Sequence, residues 1–229
     1  MSGIVESEVE DAALEWFEGL GWQRVNGPDI APGGTAPERS MFSDVILVGR
    51  LERALVRLNP DVPREALDEA LRRVVRREHP TLIAENEAFH WMVVDGLNIP
   101  ARYPDGTTRG ALVRLIDFDD VGANDFAAVN QFTVHDGEHH RRPDIVAFVN
   151  GIPLGVIELK NAGDENATVD GAFNQLQTYK AEIPSLFDSN ELLVASDGME
   201  ARAGSITADR ERFVAWKTVE GSGGLSFKY

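Results

Sequence analysis

The chain has 229 residues, of which 43% are hydrophobic, and its 22 basic and 38 acidic side chains leave a net charge of −16. That is enough apolar material for one large core-bearing domain, while the acidity argues against strong autonomous nucleic-acid binding, which rests on phosphate neutralisation. With no cysteine there are neither disulfides nor thiolate metal sites, and a cytoplasmic location is the default. No run of about 18 apolar residues offers a membrane span. The opening Met1-Ser2-Gly3-Ile4-Val5-Glu6 lacks the basic segment and apolar core of a secretory signal.

Ser7-Glu8-Val9-Glu10 reads as a capping box, with Ser7 at the N-cap and Glu10 at the third helical position. Val9, Ala13, Trp16, Phe17 and Leu20 follow at helical spacing, and Gly19 and Gly21 end the helix. Residues 26–37, rich in Gly and Pro, read as a loop. Asn59-Pro60-Asp61-Val62-Pro63 starts a second helix whose buried stripe is Leu67, Ala70, Leu71 and Val74. Its Arg72, Arg73, Arg76 and Arg77 either meet phosphates or form a solvated face balanced by Glu65, Asp68, Glu69 and Glu78.

Strands are expected over 89–94, 111–118 and 129–134, with a turn at Tyr103-Pro104-Asp105-Gly106 between the first two. Asp117, Asp119 and Asp120 read as an exposed strand end rather than a metal cluster. His135-Asp136-Gly137-Glu138-His139-His140 reads as a polar loop, since adjacent histidines rarely converge on zinc unaided.

Arg142-Pro143-Asp144 then opens the most informative stretch. Two apolar runs, 145–149 and 152–159, flank Asn150-Gly151 and predict a hairpin. The second run closes on Glu158-Leu159-Lys160, and alternate side chains share a strand face, so Glu158 and Lys160 point the same way. A plain two-residue turn pairs Val149 with Ile152 and sends Asp144 and Glu158 to opposite faces of the sheet. One site needs them together. A three-residue loop, with Gly151 left-handed as a bulge, restores this by pairing Phe148 with Ile152 and Asp144 with Val156. A helix follows over 166–181, with Ala172, Leu176 and Tyr179 facing the sheet and Gln175 one turn from Tyr179. A buried strand is expected over 191–196, and a short helix over 208–217 with Phe213 and Trp216 inward. Gly221-Ser222-Gly223-Gly224 reads as a flexible linker.

Pro143-Asp144 followed by Glu158-x-Lys160 is the signature of the PD-(D/E)XK nucleases. Together with Asn150-Gly151-Ile152-Pro153-Leu154, Gln175-x-x-x-Tyr179, Ser196-Asp197-Gly198, Trp216-Lys217-Thr218 and the first helix, it resembles the N-terminal endonuclease region of the restriction subunit of type I restriction-modification enzymes. The resemblance implies an α/β, restriction-endonuclease-like core with a mixed central sheet flanked by helices. It assigns residues 1–220 to this domain, with a helical and strand extension around 50–105, and makes 221–229 a linker toward a helicase-like motor. No G-x-x-x-x-G-K-[ST] loop occurs in the chain, so any use of ATP belongs to motor domains outside it.

The implied chemistry is metal-dependent cleavage of double-stranded DNA, in a complex with specificity and methyltransferase subunits. Asp144, Glu158 and Lys160 are the implied catalytic residues. Asp144, Glu158 and the carbonyl of Leu159 are the implied ligands of Mg²⁺ or Mn²⁺, a hard ion that takes oxygen donors. Gln175 and Tyr179 would position DNA or support the site. Glu10 matches the family's first-helix carboxylate, although helix capping explains it equally well. Two other readings are a non-catalytic docking module of the same complex and an autonomous nuclease of the repair or resolvase type.

Overall fold

The computed structural model describes residues 6–160 and 168–216. In chain order the elements are helix α1 (Glu6–Gly19), strand β1 (Gln23–Asn26), the single turn α2 (Gly27–Ile30), helices α3 (Val48–Leu58), α4 (Arg64–Val75) and α5 (Leu82–Asp95), and strands β2 (Leu97–Arg102) and β3 (Thr108–Val113). Strands β4 (Phe126–Asn130), β5 (Val134–Asp136), β6 (His139–Arg141), β7 (Ile145–Val149) and β8 (Ile152–Leu159) follow. Helix α6 (Val169–Glu182) and strands β9 (Leu192–Ser196), β10 (Ala201–Gly204) and β11 (Val214–Ala215) complete the order.

A seven-stranded mixed sheet runs β1-β4-β7-β8-β9-β10-β11, and β2-β3 and β5-β6 are separate hairpins. The β1–β4 and β8–β9 pairs are parallel, while β4–β7, β7–β8, β9–β10 and β10–β11 are antiparallel. Strands β7 and β8 therefore sit mid-sheet and are covered on both faces, which explains their nearly continuous apolar sequence. On one face, Val9 and Leu14 of α1 pack with Ala128, Ile145, Ile157 and Leu159. On the other, Ala172, Leu176 and Tyr179 of α6 join Val129, Val146, Val156, Leu193 and Ala195. A third apolar cluster unites Leu51 and Leu55 of α3, Leu67 and Val74 of α4, Phe89 and Val93 of α5, and the β2–β3 hairpin, and takes in Val149 and Ile152 at the β7–β8 turn. The α/β class and mixed sheet expected from the sequence are both present.

Several elements depart from expectation. Residues 89–94 lie inside α5, where Thr81 accepts a hydrogen bond from the Ala84 N–H as N-cap and Gly96, at φ 73°, ends the helix. An apolar run has no decisive period, and here Phe89 and Val93 are buried while Trp91 and Val94 stay exposed. Strand β3 stops at Val113, beyond which the Asn59 side chain binds both the N–H and the C=O of Arg114. The strand expected over 129–134 is cut after Asn130 by Gln131, a non-glycine residue at φ 53°. Residues 135–140 are the β5–β6 hairpin rather than an unstructured loop. In place of a helix over 208–217 there is a 3₁₀ turn, Arg210–Arg212, and then β11; Phe213 is buried but Trp216 is exposed. Ser7 lies within α1 rather than at its N-cap, and the buried stripe there is Val9 and Leu14, with Trp16 and Leu20 exposed. Residues 26–37 begin with the turn α2. The linker at Gly221–Gly224 lies outside the described residues.

The β7–β8 turn is a correction with consequences for the site. Val149 pairs with Ile152, so the loop has two residues rather than three. Asn150 and Gly151 stand at φ 53° and 79°, the left-handed pair of a type I′ turn. The Asn150 amide locks it: Oδ1 accepts from the N–H of Asp125 (2.8 Å) and from Arg57 (3.1 Å), and Nδ2 donates to the Leu115 carbonyl and Asn124 Oδ1, both at 2.9 Å. Parity is restored further along. Phe148 pairs with Pro153 but Ala147 with Gly155, leaving Leu154 as an extra residue in β8. Pro153 has no N–H to give the ladder, and a bulge is where a sheet tolerates that. From there Val146 faces Val156 and Ile145 faces Ile157, and the same register sets Asp144 opposite Glu158.

Candidate active site

Asp144 and Glu158 belong to neighbouring strands and, by the Leu154 bulge, to the face that α6 covers. Both are buried, Glu158 completely. Asp144 Oδ2 accepts the N–H of Leu159 at 2.7 Å, a charge-assisted bond that ties the two strand ends together. Lys160 follows β8 and stays in the sheet because its N–H donates to the Ser196 carbonyl of β9 at 2.8 Å. Its ammonium donates to Glu158 Oε1 at 2.8 Å and to Gln175 Oε1 at 2.6 Å.

Helix α6 supplies the far wall. Thr168 caps it, accepting from the Gly171 N–H, and the spacing of Gln175 and Tyr179 puts both over the sheet. Gln175 Nε2 donates to the Tyr179 hydroxyl at 2.5 Å, completing a chain from Glu158 through Lys160 and Gln175 to Tyr179. Burial raises the Tyr179 phenol above its ordinary pKa, and the Glu158 charge adds to this, so the hydroxyl stays protonated. An open depression of about 440 Å³ lies outside this wall, lined by Arg141, Gly171, Asn174, Gln175, Thr178 and Tyr179.

Glu10 lies on α1, which packs on the opposite face of the sheet. Its Oε1 accepts from Asn130 Nδ2 at 2.7 Å and its Oε2 from Gln131 Nε2. Gln131 in turn donates its N–H to the Asp144 carbonyl at 2.9 Å. The sequence reading passed over Asn130 and Gln131. The only trace they leave in it is a pair of side-chain amides closing an apolar strand.

Arg72, Arg73 and Arg77 of the basic cluster, and Asp117 of the acidic one, have local partners. Arg72 and Arg73 both bind Glu69, and Arg77 approaches Asp188 at 3.6 Å, which favours the solvated-face reading. Asp117 accepts the N–H groups of Asp120 and Asp119, which hold its pKa below the usual carboxylate value. Among the described residues, no three or more His, Asp or Glu side chains gather around a possible metal position. The Asp144–Glu158 pair nonetheless fits a hard ion. Mg²⁺ ordinarily takes one or two carboxylates and keeps several waters, and two buried carboxylates beside a main-chain carbonyl at Leu159 are an all-oxygen donor set of that kind.

Residues 3–212 match the family described as the type I restriction enzyme R protein N terminus. The chain belongs to that family. It is 38% identical, over 94% of its length, to the type I restriction enzyme HindI endonuclease subunit of Haemophilus influenzae, and covers 20% of that protein. A putative type I restriction enzyme MjaIXP endonuclease subunit from Methanocaldococcus jannaschii is 33% identical over 93% of the chain, again with 20% of the relative covered. The EcoprrI endonuclease subunit of Escherichia coli matches 48% of the chain at 34% identity, with 34% of that protein covered. The chain thus spans about a fifth of the first two relatives. Among the described residues no helix is long and apolar enough to cross a membrane.

Proposed function

We propose that this region is the metal-dependent endonuclease domain of a type I restriction-modification complex and hydrolyses phosphodiester bonds of double-stranded DNA. The observation that carries the reading is the pairing of buried Asp144 and Glu158 across adjacent strands, with the Lys160 ammonium bonded to Glu158. A carboxylate without chemical work is rarely buried in mid-sheet, because removal from water costs far more than one ion pair returns.

Asp144, Glu158 and the Leu159 carbonyl would hold Mg²⁺ or Mn²⁺, which when bound lowers the pKa of a water and offsets charge on the scissile phosphate. Lys160 is aimed by its two acceptors, Glu158 and Gln175. It orients the attacking water and stabilises charge developing on the phosphate oxygens. Gln175 holds Lys160 on one side and Tyr179 on the other, which fixes its amide plane. The depression beside it, with Arg141, Asn174 and Thr178, offers polar groups to a DNA backbone. Translocation, sequence recognition and methylation fall to the motor domains and to the specificity and methyltransferase subunits of the complex.

The test is cleavage by the reconstituted complex carrying Asp144→Ala, Glu158→Gln or Lys160→Ala. DNA cleavage is expected to disappear in each, with ATP hydrolysis retained. Cleavage retained in all three would refute the assignment and favour a docking role.

A further inference from the structure

Gln131 is held in a conformation that its residue type avoids. At φ 53° it is left-handed, a region that costs a non-glycine side chain about 1 kcal/mol or more and persists where the surroundings enforce it. The surroundings here are specific. The Gln131 N–H reaches the Asp144 carbonyl at 2.9 Å, and its side-chain amide reaches Glu10. Asn130 holds the other oxygen of the same carboxylate at 2.7 Å. Beneath them, Gly27 lies so close that an added Cβ would stand 2.4 Å from the Asn130 carbonyl oxygen and 2.6 Å from that of Gln131. The left-handed turn is therefore clamped from α1, from α2 and from β7 at once.

We infer that Gln131 is a positioning residue for the metal-binding carboxylate Asp144, and that Glu10 acts through Gln131 rather than as a ligand of the ion. This rests on the reading of Asp144 as a metal ligand. Asp144 immediately precedes β7, where a main-chain shift would swing its carboxylate away from Glu158. Its carboxylate is fixed by the Leu159 N–H, and its carbonyl by Gln131. Both of Glu10's oxygens are committed to the two amides, and α1 lies against the sheet face opposite the Lys160 ammonium. The geometry thus gives the first-helix carboxylate a task two hydrogen bonds removed from the metal-binding residue.

Two variants separate the roles. Gln131→Asn keeps a residue that tolerates left-handed backbone but shortens the amide by one methylene, out of reach of Glu10. The double exchange Glu10→Gln with Gln131→Glu keeps the net charge and both hydrogen bonds: the new glutamine accepts from Asn130 and donates to the new glutamate. Mn²⁺ affinity of the full chain is measured by titration calorimetry, well below the melting temperature, with Asp144→Asn as reference. Supporting groups of this kind typically change metal affinity about 10–100-fold when lost. Gln131→Asn is expected to weaken Mn²⁺ binding about tenfold, and the exchanged pair to stay within about threefold of wild type. Wild-type affinity in Gln131→Asn, with loss in Asp144→Asn, would overturn the positioning role and leave the metal site standing. Loss in the exchanged pair as large as in Asp144→Asn would mean that the Glu10 carboxylate is itself needed at its place. Wild-type affinity in Asp144→Asn would overturn the metal site and this inference with it.

Discussion

At the scale of single residues, Lys160 has two tasks. Its partner Glu158 has a side chain only 1% exposed, against 20% for Lys160 itself. Removing one member of a buried ion pair strands the other, typically at roughly 3–5 kcal/mol, while removing both can be nearly neutral. Because Lys160 is partly exposed, Lys160→Met is expected to destabilise the chain by about 2–3 kcal/mol. Adding Glu158→Gln should recover most of that. Urea denaturation of the single and double variants checks this, and equal midpoints for the two would show that the pair is not coupled. Gln175→Ala releases the ammonium from its second acceptor and takes the Gln175 amide from the Tyr179 hydroxyl. It should lower cleavage by much more than its modest effect on the melting temperature.

At the scale of elements, the β7–β8 hairpin decides whether there is a site at all. The alternation of its strands was legible in the sequence, and so was the need for an extra residue to bring Asp144 and Glu158 to one face. The position of that residue was not. It depends on the Asn150 amide, whose four partners come from distant segments, and no local pattern displays them. Gly151→Ala places a Cβ 2.5 Å from the Leu47 carbonyl oxygen at φ 79° and should cost at least about 1 kcal/mol. Asn150→Ala leaves four buried or half-buried groups without the amide and should cost more, since each such loss is worth roughly 1–3 kcal/mol. A urea midpoint for Asn150→Ala equal to wild type would contradict this role.

Asp188, in the turn after α6, offers a pH test of the packing between that turn and α5. Burial raises its pKa from 3.8 to about 7, helped by Glu85 and Asp136 and opposed by Arg77. A carboxyl whose pKa is raised by folding contributes stability that is fully present below its unfolded value and lost as pH rises through about 7. The melting temperature of wild type should therefore fall more between pH 5.5 and 8 than that of Asp188→Asn. Parallel pH profiles would show that the half-buried place of Asp188 does not hold its carboxyl out of water.

At the scale of the molecule, α5 illustrates why part of the fold was hidden. Its run from Phe89 to Val94 is apolar on both sides because one side meets the core and the other is exposed, so the period that marks a helix is lost. The grouping of the candidate residues was legible because they are compact in sequence: Asp144 to Lys160 is one hairpin, and Gln175 and Tyr179 are one turn of the next helix. Asn130, Gln131 and Glu10 come together only through the sheet, so nothing in their spacing announces them. With a net charge of −16, the isolated chain is expected to bind DNA weakly, non-specifically and with strong salt sensitivity. Cleavage at a defined sequence by this chain alone would be incompatible with a domain that leaves recognition to its partners.

The central claim is that Asp144 and Glu158 hold a divalent ion, and melting of the wild-type chain and of Asp144→Asn, each in chelator and then in millimolar Mn²⁺, tests it most directly. Without metal, two carboxylates face one another across adjacent strands, and removing one charge should raise the melting temperature of Asp144→Asn above wild type. An ion bound only by the folded state stabilises it by RT ln(1 + [L]/Kd), about 2.7 kcal/mol at a hundredfold excess over Kd. In a domain of this size that is several degrees. Wild type should gain that shift in Mn²⁺ and Asp144→Asn should gain little; an equal shift in both would place the ion elsewhere and contradict the site.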